Sequence, residues 1–333
     1  MTPRLAAVAS RAAPIAAGLA LVGLLPLAIS DFRASSFSYV AIYAIAIVGL
    51  NVLTGYTGQI SLGHGAFMAI GGYTTAILVA KHGVPYYWTI PLAGLVAGGG
   101  GFVAGIPALR ISGLHLALAT FGLAVATPAF VKHFGGFTGG STGLGFTLVK
   151  APSGTGLSQN RWLYYLCFGC AFLALAAAWL LLRGRLGRAL RAVRDSEVAA
   201  ASFGIHLAVH KTLAFGVSAA FAGVAGSLYA IANLSYVSPD TYRIDLSLLL
   251  VVGAVIAGLG SLWGTAVGAL LVEFLSAGDV ERWLHVSKSV PADVFFGCFL
   301  ILVVLALPTG AAGLLERAAR ALTTRLYTRP RPR

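Results

Sequence analysis

Charge is what this chain of 333 residues has least of: Asp, Glu, Lys and Arg make up 10% of it, against about 25% in a soluble domain. Beside 58% hydrophobic residues, that shortage excludes a soluble globular protein and a disordered one. The 42 glycines follow no period, which excludes collagen, and three cysteines are too few for a disulfide scaffold. Cys167 and Cys170 form a C-x-x-C inside the apolar run 162–182, and Cys298 sits in another. A redox or zinc pair needs polar, accessible surroundings, so these read as small hydrophobes, and no metal or cofactor is expected. None of the five lysines follows a glycine, so a Walker A loop is missing and ATP is not hydrolysed by that route. Also missing are a convergent His/Asp cluster, as a membrane enzyme needs, and the clustered acids or proton relay of an ion-coupled carrier. Glu273 is the one acid well inside an apolar run; such residues invite a functional reading, but a nearby aqueous boundary makes snorkelling an equal one.

What is present is apolar sequence in span-sized pieces. A membrane helix takes about 20 mostly apolar residues, so the composition allows about ten. Ten segments read that way: 12–29, 38–53, 66–80, 88–109, 114–130, 162–182, 212–232, 246–258, 262–275 and 292–308. The expected fold is therefore an all-α polytopic membrane protein. The first segment follows Arg4 and Arg11 and ends near Ala28-Ile29-Ser30, which also fits a secretory signal. Its apolar run is longer than a signal core, and the reading preferred is an uncleaved helix.

The net charge of +13 would suggest nucleic acid in a soluble chain. In a polytopic chain Lys and Arg collect in cytoplasmic loops. With the N-terminus inside, pieces 1–11, 54–65, 110–113, 183–211, 259–261 and 309–333 hold fifteen of the 23 Lys and Arg, and the outer loops hold eight. The charge is an orientation signal with both termini cytoplasmic, and nucleic-acid binding is not expected.

Gly94, Gly98, Gly101 and Gly105 share one span, and Gly260, Gly264 and Gly268 recur at the same spacing. Small residues so spaced let helices approach closely where lipid supplies no hydrophobic drive. Two other stretches, 51–65 and 258–264, are Gly-rich, uncharged and too apolar for solvated loops. Irregular backbone at membrane depth survives only when buried in protein or lining a cavity, and interrupted helices in transporters often point backbone groups at the substrate. Residues 54–65 are read either as a re-entrant or broken segment beside a solute path or as a short cytoplasmic turn. On the first reading Asn51, Tyr56, Gln59, Ser61 and His64 line the path; on the second they hydrogen-bond neighbouring helices. His115 is read in the latter way.

The longest inside loop, 183–211, carries six positive charges. At 100° per residue, Ala189, Leu190, Val193, Ser196, Ala200 and Phe203 share one face, with Arg188, Arg191, Asp195 and Ser202 opposite, and Gly204 is placed to end the helix. Lipid or a partner protein must cover the apolar face. At the C-terminus, Leu315, Ala318, Ala319, Leu322 and Leu326 form another apolar face, flanked by Arg317, Arg320 and Arg325, which reads as an interfacial helix on anionic lipid. The chain thus divides into a membrane-spanning domain, 1–311, and a basic amphipathic tail, 312–333.

Glu197 with Ala199 and Ala200, then Gly204, resembles the Glu-Ala-Ala…Gly coupling loop of ABC importer permeases, with seven residues from Glu to Gly, one more than usual. Gly55-Tyr-Thr-Gly-Gln-Ile-Ser-Leu-Gly-His-Gly-Ala-Phe, Gly139-Gly-Ser-Thr-Gly-Leu, Gly187-Arg-Ala-Leu-Arg-Ala-Val-Arg-Asp and Gly258-Leu-Gly-Ser-Leu-Trp-Gly are together similar to branched-chain amino acid permeases of the M type, over about residues 39–310. The resemblance implies a non-catalytic translocation subunit of the bacterial inner membrane. It implies a heterodimer with an H-type permease, two cytoplasmic ATPase subunits and a periplasmic substrate-binding protein. It places Arg188, Arg191, Asp195, Glu197, Ala200 and Gly204 at the ATPase coupling surface. The external loop 131–161 becomes a docking surface for the binding protein, or else an ordinary flexible loop. Branched-chain or other amino acids, urea and short amides all suit a neutral, hydroxyl- and amide-lined path; an ion-coupled secondary transporter is the rival from another class.

Overall fold

The structure, a computed structural model, describes residues 22–276 apart from 27, 110, 112, 150, 153–155 and 234. The span read at 292–308, Cys298, the tail 312–333 and most of the first segment lie outside the described residues. The last turn and a half of that first segment, 22–26, is helical, and Tyr164 and Tyr165 donate to the Val22 and Gly23 carbonyls at 2.8 and 3.0 Å.

Helix α1 runs Asp31–Leu50 and continues as a π-helical turn at Asn51–Gly55. After an irregular stretch come α2 (His64–His82), α3 (Tyr86–Ala108) and α4 (Leu114–His133). Helix α5 (Gln159–Arg183) leads into two short helices, α6 (Arg185–Asp195) and α7 (Glu197–Ser202). Then follow α8 (Leu207–Ala232), α9 (Ile244–Ala257) and α10 (Gly264–Ser276). Each apolar segment read between 38 and 275 is realised as one of these helices. Five stretches, Asp31–Gly55, α3, α4, α5 and α8, are long and apolar enough to cross a membrane. With the family evidence given below, that makes a multi-pass integral membrane protein.

Helix α8 is the axis of the bundle, and small residues let its neighbours reach it. A Cβ on Gly223 would meet Ala93 O of α3 at 2.6 Å, and one on Gly105 would meet the Thr212 Cα at 3.1 Å. On the α2 side a Cβ on Gly226 would run into the Met68 carbonyl. The glycine stripe of α3 is thus a packing surface, its buried members being Gly94, Gly101 and Gly105. Tyr43, Phe67, Met68, Tyr242 and Leu228 fill the core on one side of α8. A second cluster, Val52, Leu53, Leu116, Leu182, Leu190 and Phe215, closes the end where α6 lies.

The opposite end is ordered by hydrogen bonds rather than by long helices. Leu144–Gly145 and Tyr236–Val237 pair as a two-residue antiparallel ribbon, the one departure from all-helical structure among the described residues. Tyr236 donates to Thr142 O at 2.5 Å, and Lys81 to Gly136 O at 2.6 Å. The Gly139-Gly-Ser-Thr-Gly motif finds its reason here: Gly139, Gly140 and Gly143 have φ of 79°, 60° and 73°, backbone that L side chains rarely adopt. In α5, Cys167 is buried and free, and so is the half-buried Cys170, consistent with small apolar residues.

Candidate functional site

The two glycine-rich interruptions, some 200 residues apart in sequence, meet in space. In the first, the Tyr56 N–H reaches back to Asn51 O across the π turn. In the second, α9 stops because Gly258 and Gly260 take φ of 90° and 89°, turning the chain before α10. Asn51 joins them. Its side-chain amide donates to Ser261 O at 2.7 Å and its oxygen accepts from the Gly260 N–H at 2.6 Å, so both ends of one buried side chain are used. Gly55 has to be glycine at this crossing: a Cβ there would collide with the Asn51 amide oxygen and the Gly260 backbone nitrogen.

Residues 56–63 alternate between buried and exposed positions, with Gly58 and Ile60 exposed. Thr54 donates to Gln59 O at 3.1 Å, Leu62 N–H donates to the Thr120 hydroxyl of α4 at 2.9 Å, and Gly65 N–H donates to the Ser247 hydroxyl of α9 at 2.9 Å. Thr57, Gln59, Ser61 and His64 are buried, and Tyr56 is half-buried. Buried irregular backbone of this kind needs such partners.

Two acceptors in this stretch take no hydrogen bond from the protein: Gln59 Oε1 and His64 Nδ1. The second is identified by its neighbours. Ser218 Oγ gives its one proton to Gly49 O at 2.6 Å, so the 2.8 Å contact between Ser218 Oγ and His64 Nε2 has the imidazole as donor. Nε2 therefore carries a proton, and in the neutral imidazole Nδ1 then holds the lone pair. Farther along α2, Ala66, Ala69, Ile70 and Tyr73 line a cavity of about 350 Å³ against α4. Its walls are aliphatic and aromatic apart from Thr127, Thr138 and Tyr73, whose buried hydroxyl has no protein partner.

At the same end of the bundle, the loop after α5 differs from the single helix its periodicity predicts. The chain breaks at Ser196 (φ −162°, ψ 115°), whose hydroxyl accepts from the Ala199 N–H and starts α7. The break resets the register. Leu190, Val193 and Ala200 are buried as expected, but Phe203 is turned out at 86% exposure, with Val198 at 79%. Neither lipid nor a partner covers the apolar face of α6, as the sequence had required; Leu190 packs with Val52, Leu53, Leu182 and Phe215 of the chain itself. Gly204 (φ 79°) ends α7 as expected, with the Ile205 N–H returning to Ala200 O at 3.0 Å. Glu197 is held from within, by a 2.6 Å ion pair to Lys211 of α8. Arg188, Arg191 and Asp195 are exposed.

The residues read from sequence as path-lining and those read as coupling adjoin here. The Arg191 guanidinium stands 6.0 Å from the Tyr56 ring, and Arg194 donates to Gly55 O at 2.6 Å. Arg194, Thr120, Ser218 and Ser247 also adjoin this cluster and sequence reading gave none of them a site role, whereas Gly260 and Ser261 lie in the interruption 258–264 read from sequence. Glu273 of α10 lies within electrostatic range of Tyr39 and Tyr229, away from this cluster's hydrogen bonds. Among the described residues no group of His, Cys, Asp and Glu could hold a metal ion.

Residues 32–307 match the family described as branched-chain amino acid transport system / permease component. The chain is 34% identical to the high-affinity branched-chain amino acid transport system permease protein LivM of Escherichia coli, over 69% of this chain and 60% of that protein. LivM of Salmonella typhimurium gives the same figures, so the chain spans about 60% of the length of these curated relatives. It is 27% identical to the LivH permease of Escherichia coli over 81% of this chain and 91% of that one. The ribose import permease RbsC of Escherichia coli is 26% identical over 72% and 74%. No solved structure matches.

Proposed function

The chain belongs to the family of branched-chain amino acid transport system permease components, and on that footing we propose that it is the M-type permease subunit of an ABC importer carrying branched-chain or related amino acids across the bacterial inner membrane. About ten helices cross the bilayer, with both termini and the 183–211 loop cytoplasmic. The tail 312–333 rests on lipid. An H-type permease completes the translocation unit, two separate ATPases supply the energy, and a periplasmic binding protein delivers the solute to the 131–161 side. The apolar outer faces of α4 and α5, with Leu114, Leu118, Val125, Leu173 and Leu180 exposed, meet lipid or that second permease.

One observation carries the mechanism: α6 and α7 are anchored from inside and offer Arg188, Arg191, Val198 and Phe203 outward. Exposed apolar side chains beside exposed charged ones on a fixed support suit a groove on a cytoplasmic partner. The interrupted segment behind it, read as re-entrant, supports a neutral path: Gln59 Oε1 and His64 Nδ1 are uncharged acceptors for a solute's N–H or O–H groups. The aliphatic cavity along α2 suits a branched side chain. The same acceptors favour, as a second reading, urea or a short amide.

The test is reconstitution of the chain with ATPases, an H-type permease and a binding protein of the same family from the same organism. ATP-driven accumulation of radiolabelled leucine is expected, with urea and short amides as competitors that separate the two readings. Replacing Phe203 with Ser should reduce ATPase co-purification without altering the melting of the isolated chain. Uptake driven by an ion gradient with no ATPase present would overturn the proposal.

A further inference from the structure

We propose that Arg194 is the positioning residue that ties the ATPase-facing loop to both interrupted helices, so that a displacement of α6 moves the two breaks together. The inference rests on the importer reading above and adds to it a specific mechanical link.

A helix leaves its last carbonyls without intrahelical partners and its C-terminal end partially negative. The Gly55 carbonyl is such a group, and Arg194 in the last turn of α6 meets it at 2.6 Å with Nη1. A guanidinium is always charged and offers a rigid fork of donors, so this is a charge-assisted bond with a fixed direction. Glycines of both breaks border it at contact distance. A Cβ on Gly58 would lie 3.5 Å from Arg194 Cγ, and one on Gly260 would lie 3.4 Å from Arg194 Nη1. Three glycines from the two breaks, Gly55, Gly58 and Gly260, therefore surround one arginine.

The other side chains of α6 do not duplicate this bond. Arg188 Nη1 turns back to Arg183 O at 3.4 Å, and Arg191 stands over Tyr56 at 6.0 Å, a looser hold on the residue next to Gly55. From Gly55 the link continues without slack. One turn earlier, Asn51 bonds both Gly260 N and Ser261 O, so the second break follows the first. Helix α6 itself cannot slide freely over these elements, because Leu190 is buried among Val52, Leu53 and Phe215. A push on the outward face of α6 thus reaches residues 51–55 and 260–261 through two hydrogen-bonding side chains. In a transport cycle it would change the geometry on the cytoplasmic side of Gln59 and His64.

The test uses the complete importer in proteoliposomes, with ATP hydrolysis and leucine uptake measured on the same vesicles. If the wild-type complex does not take up solute on ATP addition, the importer reading fails whatever Arg194 does. If it does, Arg194→Ala is expected to keep the ATPases bound and hydrolysing while uptake per ATP falls about tenfold, the scale of one charge-assisted hydrogen bond. Arg194→Lys keeps the charge and one donor but not the fork, and should give an intermediate ratio. The inference is overturned if Arg194→Ala transports with the wild-type ratio, or if hydrolysis and uptake fall in proportion, since that marks a docking or folding defect. Should the Ala variant fail to fold, the Lys variant decides: a ratio equal to wild type refutes the link.

Discussion

Lys211 of α8 and Glu197 at the start of α7 form a 2.6 Å ion pair in which the lysine side chain is 8% exposed and the glutamate 48%. The asymmetry sets the outcome of mutation. Removing the carboxylate strands a buried ammonium, whereas removing both charges strands nothing. Glu197→Gln should cost about 1–2 kcal/mol, a buried-pair figure reduced for the glutamate's exposure. Lys211→Met placed on top of it should restore most of that. Thermal unfolding of the four members of the cycle in detergent measures it, and an additive double mutant would count against the pairing as a stabilising contact.

Asn51 makes a second prediction. Asn51→Ala leaves the half-buried Gly260 N–H and Ser261 carbonyl without this partner, at up to about 1 kcal/mol each. Asn51→Asp keeps the acceptor for Gly260 but sets a carboxylate against the Ser261 carbonyl, and should unfold at least as early as the Ala variant. An Asp variant melting with wild type would argue that the clamp contributes little.

Glycines of α3 and α8 divide by what surrounds them. Gly223→Ala drives a Cβ to 2.6 Å from Ala93 O, and should cost about 1–3 kcal/mol by forcing the helices apart. Gly99→Ala meets nothing within 4 Å and should be neutral or stabilising, by up to about 1 kcal/mol from helix propensity. Melting temperatures of the two variants compared side by side check the packing of α3 on α8.

The unpaired acceptors supply the last prediction. If Gln59 Oε1 receives a solute's N–H, Gln59→Ala should raise the apparent KM for uptake about fivefold to tenfold with the complex still assembled. His64→Ala would also strip the Ser218 hydroxyl of its donor and should lower stability as well. Unchanged transport by Gln59→Ala removes that residue from the path.

Most of the bundle was legible because apolar runs and small-residue spacing are local signals. The glycine stripe of α3 and the grouping of the basic loop with both interruptions follow from counting along the chain. The loop after α5 misled because a helical wheel assumes continuous turning. Asp195-Ser196-Glu197 carries an N-cap signal inside the pattern, and reading it would have started a new helix and turned Phe203 outward. Nothing local could have selected Arg194 from its neighbouring arginines, or paired Asn51 with Gly260, because those relationships exist only once distant segments have folded together.

The π turn in α1 has one more consequence. A turn of this kind holds one residue more than the α-helical turn it replaces, so α1 carries a surplus residue between Asn51 and Gly55. Its effect is a phase offset: Gly49, before it, is set against Ser218 and Phe221 of α8, while Gly55, after it, is set against Gly260 and Arg194. Winding the same residues as a regular α-helix would rotate one half by about 100° against the other. Either the α8 contact or the Arg194 contact would then lose its register, so a regularity that improves the helix would disconnect the protein it belongs to.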